Sequence, residues 1–199
     1  MITAYNHVHK QITSVEHSFM LKPAGDWIIN PLIQDRALLD STPTEFWVYE
    51  PDTTVLRVMT EEERETDPVR LELAKKQKIA QMSGACEADI TKGFHSSALG
   101  SPHWYDCSAY DQLNLISSIA ITAPSVENPE GTTTFYAARE STVDDDKEYR
   151  AHTYAQLKQV ATDQAKSRIE HLQRFARIKM NIMSLTRVSQ VLAVEWEES

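Results

Sequence analysis

Thr153-Tyr154-Ala155-Gln156 is a capping box, in which the threonine hydroxyl and the glutamine side chain each satisfy a free backbone donor at a helix start. Leu157, Val160, Ala161, Ala165, Ile169, Leu172, Ala176, Met180 and Met183 follow at helical spacing, and Phe175, Ile178 and Ile182 broaden the apolar surface towards the end. This predicts one amphipathic helix over 153–183, roughly 40 Å or more long at about 1.5 Å per residue, more than a small domain covers. Leu172 and Phe175 are therefore candidate interface residues, and pairing with further copies of the chain would bury them. The charged positions are Lys158, Lys166, Arg168, Arg174, Arg177 and Lys179 against Asp163 and Glu170. That basic balance reads as a solvated face offsetting an otherwise acidic chain rather than as a partner-specific patch.

Upstream, Ser108-Ala109-Tyr110-Asp111 places an acid three residues after a serine cap, which starts a second helix through Leu113, Ile116 and Ala120 that stops before Pro124. Thr132 to Ala138 reads as a strand, and Asp144-Asp145-Asp146 as a solvated loop. Further upstream, Asp67-Pro68 fits an N-cap followed by proline at the first helical position. The helix it opens runs from Val69 to about Lys92, with Ile79, Met82, Cys86 and Ile90 on one stripe, and Gly93 ends it in a left-handed cap. Phe94 to Cys107 is a loop or short hairpin. A last turn and helix, Thr186 to Trp196, runs into Glu197 and Glu198.

Residues 1–67 read as a separate β-rich docking module, divided from residues 68–199 by the charged run Glu61 to Asp67. Its candidate strands are Ile2–Tyr5, Gln11–Met20, Trp27–Asn30, Glu45–Glu50 and Val55–Met59, the last two joined through Pro51-Asp52-Thr53-Thr54 as a hairpin. Alternation puts Phe46 and Val48 on one face and Trp47 and Tyr49 on the other. Trp47 and Tyr49 are thus either core or a candidate protein interface. The expected fold class is α+β: a small β-rich N-terminal module, then an α-helical and β-hairpin domain with one long amphipathic helix.

Composition narrows the function. The chain has 199 residues, 41% of them hydrophobic, and a formal charge of −9, a balance that disfavours phosphate backbones and anionic lipid. None of the five glycines forms G-x-G, so no dinucleotide fingerprint or P-loop can be built. Cys86 and Cys107 form no C-x-x-C, and the spacing of His95, His103 and Cys107, or of His7 and His9, matches no zinc signature. No G-x-S-x-G elbow is present, and Ser96-Ser97-Ala98-Leu99-Gly100 lacks its first glycine. Neither a secretory signal nor a membrane span is read from the sequence. The expectation is no enzyme, no cofactor and no metal.

Residues 88–106, Ala-Asp-Ile-Thr-Lys-Gly-Phe-His-Ser-Ser-Ala-Leu-Gly-Ser-Pro-His-Trp-Tyr-Asp, with Asp111-Gln112-Leu113-Asn114-Leu115, resemble a C-terminal domain of unknown function common in phage and prophage tail gene clusters. Its second block is matched by His152-Thr153-Tyr154-Ala155-Gln156-Leu157, with Val160 and Asp163 in place, and its closing tryptophan by Trp196. The resemblance covers roughly residues 70–197, and Cys107 departs from its usual acidic or small polar residue. The matched positions Gly93, Phe94, Ser97, Leu99, Gly100, His103, Tyr105, Asp106, Asp111, Gln112, Asn114, Leu115, His152, Thr153, Gln156, Leu157 and Trp196 read as fold determinants. His152 and Asp106 are either a polar pair tying loops together or a receptor contact.

What the resemblance implies is a non-enzymatic component of a bacteriophage tail, at the baseplate or the fibre attachment point, made in the bacterial cytoplasm and carried in the virion. Its partners would be other tail proteins and, since tail fibres are commonly trimeric, copies of itself in a homotrimer. One alternative is a fibre-assembly chaperone absent from the mature particle. Another is a glycan- or receptor-binding module stacking sugars on Trp104 and Tyr105.

Overall fold

A computed structural model describes residues 2–15 and 24–196. The chain is α+β and divides into two compact units: residues 1–72 with 186–189, and residues 73–185 with 190–199. The division thus falls inside a continuous helix rather than at Asp67, and a short C-terminal segment returns to the first unit.

In the first unit, β1 (Ile2–Asn6) pairs antiparallel with β2 (Gln11–Val15) and β3 (Trp27–Ile29). The rest of the expected strand to Met20, like Glu197 and Glu198, lies outside the described residues. A second sheet sets β4 (Leu32–Ile33) parallel to β6 (Val55–Val58), which pairs antiparallel with β5 (Trp47–Glu50). Between β4 and β5 lies α1 (Arg36–Ser41), capped by the Asp35 carboxylate on the Leu38 amide. Tyr5, Leu39, Trp47 and Leu56 form the core. Leu39 and Leu56 are fully buried, each contributing about 1.5–3 kcal/mol.

Trp47 and Tyr49 turn inward, so the proposed aromatic docking face is corrected. Their rings lie 6.5 and 6.2 Å from that of Tyr5, and the Trp47 indole N–H donates to the Thr42 carbonyl at 3.1 Å. With 7% of its surface exposed, Trp47 has little to offer a partner.

The charged run after the hairpin is itself a helix, α2 (Glu61–Thr66), opened by a capping box between Thr60 and Glu63. Arg57 holds Glu63 and Glu50 together at 2.6 Å each. These hydrogen bonds, led by Arg57 with the Thr60 amide behind it, bring the Glu63 carboxyl down to about 2. Phe46 lies between the Arg64 and Arg70 guanidinium groups, 4.3 and 4.5 Å from its ring centre. Arg187 pairs with Glu62 at 2.8 Å and the Ser189 amide donates to Glu65 at 2.9 Å, which ties residues 186–189 to this unit.

Asp67 accepts from the Arg70 amide at 2.8 Å and so caps α3 (Pro68–Lys92), with proline at its first position. In the second unit Met82 and Cys86 of this helix are buried, with Ile79 and Ile90 half-buried beside them. Gly93 follows at φ +139°, and a Cβ there would stand 2.6 Å from the Trp104 ring, so both the turn and the close approach demand glycine. The hairpin of β7 (Phe94–Ser96) and β8 (His103–Tyr105) leads to α4 (Ala109–Thr122), opened by the Ser108–Asp111 capping box.

α4 buries Leu115 and Thr122, not the stripe through Leu113, Ile116 and Ala120, which faces solvent; Leu113 and Ile116 are 60% and 65% exposed. Next come β9 (Thr133–Ala138) and β10 (Glu148–Thr153), paired antiparallel, and α5 (Tyr154–Ser184), opened by the predicted Thr153–Gln156 box. α6 (Val188–Leu192) is the last helix. No helix among the described residues is long and apolar enough to cross a membrane.

Candidate functional site

The two large blocks of the resemblance meet in the second unit. Tyr105, from β8, stacks between Phe94 and Tyr136 at 5.8 and 6.3 Å, and Cys107, Leu115, Leu157 and Val160 complete the core. His152, from β10, presents its ring edge-on to Tyr105 and Tyr136, each 5.9 Å away. Its Nδ1 is 2.8 Å from the Arg150 carbonyl, which can only accept, so that nitrogen carries the hydrogen. Burial lowers the His152 pKa and keeps the ring neutral. Nε2 is then a bare acceptor, and the Tyr105 hydroxyl donates to it at 2.9 Å. Burial pushes the Tyr105 phenol up to about 12 and raises that of Tyr136, whose hydroxyl donates to the Asp111 carbonyl.

The other polar residues of the blocks are spent in the same way. His103 is buried, with Nδ1 2.8 Å from the Ser101 carbonyl and Nε2 accepting from Arg150 at 2.8 Å. Asp106 takes both arms of Arg139 at 3.0 Å and Lys147 at 3.0 Å. Burial drives its carboxyl up, but these cations outweigh it and hold the carboxyl below the usual range. His152 and Asp106 thus have separate partners rather than each other.

Gln112 donates to the Cys107 carbonyl and Leu115 is core, whereas Asn114 is exposed. Ser97 is also exposed, its carbonyl closing the Gly100 turn while Leu99 is half-buried; Ser96 is the serine that reaches the second block, donating to Asp163 at 2.7 Å. The Trp196 indole donates to Asp89 at 2.8 Å, and the Arg174 guanidinium covers its ring at 4.8 Å.

The histidines and cysteines considered as ligands are not brought together. His95 points to solvent from the other face of β7, while the Cys107 sulfur accepts from Gln164 and the Cys86 thiol donates to the His171 carbonyl. Among the described residues no three of His, Cys, Asp and Glu are grouped to hold a metal. Tyr105 is 1% exposed, so stacking a sugar on it is corrected: its faces are covered by Phe94 and Tyr136.

Sequence reasoning pointed to Leu172 and Phe175, and the structure places both on a groove of about 710 Å³ between α3 and α5. Cys86 and Ile90 line it from α3 and Phe94 from the start of β7, and Glu87 and Arg168 also border it. It is predominantly apolar and open along one side. The groove itself was not legible, because it needs two helices set side by side. No family model, curated protein or solved structure matches the chain.

Proposed function

We propose that the chain is a non-enzymatic component of a bacteriophage tail, acting at the baseplate or the fibre attachment point. The observation that supports this reading is the convergence of the resembling blocks. Ser96, Tyr105 and Asp111 of the first block hydrogen-bond to Asp163, His152 and Tyr136, which lie in or beside the second. Contacts that unite a core in this way support reading the two blocks together, as parts of one domain. The polar groups of these six residues satisfy one another, so none of them stands as a base facing a nucleophile in an open cleft, as a hydrolytic site requires.

The test is to interrupt the reading frame in the phage or prophage that encodes it and to complement from a plasmid. The expected result is particles with incomplete tail tips or fibres and lost adsorption, restored by the wild-type gene. Unchanged particles with unchanged adsorption would overturn the proposal.

A further inference from the structure

α5 buries one face in the second unit and leaves another uncovered. Ala165, Ile169, Leu172, Ala176, Met180 and Met183 recur every three or four residues and form a single exposed seam about 27 Å long. Ile169, Leu172, Met180 and Met183 are 52, 44, 74 and 57% exposed. The α3–α5 groove opens beside the seam and shares Ala165, Ile169 and Leu172 with it.

The flanks of the seam are predominantly cationic on both sides, with Glu170 just beyond Lys166 and Arg177 on the first side and Glu87 at the border of the groove. At about 100° per residue, Lys166 and Arg177 lie roughly 80–100° to one side, and Arg168 and Lys179 roughly 60–80° to the other. Among the described residues Arg168, Arg177 and Lys179 make no ion pair, and Lys166 reaches Asp163 only at 3.8 Å.

We infer that this seam and groove dock an amphipathic helix with acidic flanks from a different protein. The charge pattern selects this occupant. A second copy of α5, parallel or antiparallel, would set predominantly cationic flanks against one another on both sides of the seam, where like charges oppose association. This weighs against the homotrimer expected through this helix. An anionic lipid surface would suit the cations but would have to accept a chain of charge −9. A helix with glutamates or aspartates beside its apolar stripe matches both the seam and its flanks. The inference concerns the surface alone, so it can fail or hold whatever becomes of the tail reading.

The test uses the full chain and two synthetic helical peptides of about 20 residues. They carry the same Leu/Ala stripe, flanked in one by glutamate and in the other by lysine. Titration by fluorescence anisotropy should show at least a roughly tenfold preference for the glutamate peptide. The double variant Arg168→Glu/Arg177→Glu, with unchanged circular dichroism, should lose that preference. Equal binding of the two peptides, or no binding of either at about 100 μM, overturns the inference. So does a dimer or trimer in sedimentation that Met180→Glu dissolves, which would make a second copy the occupant. Binding to vesicles containing phosphatidylglycerol in preference to the glutamate peptide overturns it in favour of lipid.

Discussion

Replacing Tyr105 with phenylalanine removes one oxygen and little else. The ring keeps its stacking partners Phe94 and Tyr136, and the vacancy left is smaller than a water molecule. His152 Nε2, in a side chain with no exposed surface, loses the hydroxyl that donates to it. It cannot turn its other nitrogen to the task, because Nδ1 is held by the Arg150 carbonyl. A buried acceptor left unpaired costs about 1–3 kcal/mol. The chain has two units, so a global melt would blend their stabilities. Native-state hydrogen exchange, read on peptides from β9, β10 and the start of α5, isolates the second. Tyr105→Phe should speed exchange of its best-protected amides about 5- to 150-fold at neutral pH while leaving β5 and β6 unchanged. In a His152→Leu background the same replacement should cost much less, because no acceptor is orphaned. Unchanged exchange on Tyr105→Phe, or an equal loss in both backgrounds, would refute the reasoning.

Three further predictions follow from neighbouring features. Because burial holds the His152 pKa below 6.5, the unfolded chain binds a proton that the folded chain refuses. The contribution is therefore complete above pH 6.5 and lost as pH falls towards the folded pKa, by up to about 1.4 kcal/mol per pH unit; His152→Gln should flatten that slope in the protection of β9 and β10 amides, corrected for the intrinsic pH dependence of exchange. Gly93→Ala must adopt φ +139° and push against the Trp104 ring, and should cost about 2–4 kcal/mol by the same exchange measurement. Glu63, at about 2, stabilises the first unit above the usual carboxylate pKa near 4.5 and loses that contribution as pH falls towards 2. Arg57→Met should therefore move acid unfolding of that unit to higher pH, followed by amide exchange in β5 and β6.

How much was legible in the sequence depended on the range of the interaction. Capping boxes are local, and Ser108–Asp111 and Thr153–Gln156 could be read because both partners lie within one turn. The Asp67-Pro68 start and the Gly93 stop are equally local. Periodicity was ambiguous wherever two faces were apolar. α4 carries Leu113 and Ile116 on one side and Leu115 and Ile119 on another, and only packing decides which is inside. The same holds for Trp47 and Tyr49, which alternation placed on one face without saying that Tyr5 lies over it. α2 escaped because every position in it but the last is charged, and α1 because six residues are too few for a stripe. The pairing of Asp106 with Arg139 and Lys147, and of Ser96 with Asp163, joins residues brought together only by the folded β9–β10 hairpin and α5. The α3–α5 groove has the same origin.

Peptide mass spectrometry on gradient-purified phage particles, quantified against the tail-tube protein, tests the central claim most directly. A tail component should be present at a fixed, low ratio to the tube protein that survives further purification. Absence from particles, with abundance in the infected-cell lysate, would contradict a virion component and favour an assembly factor.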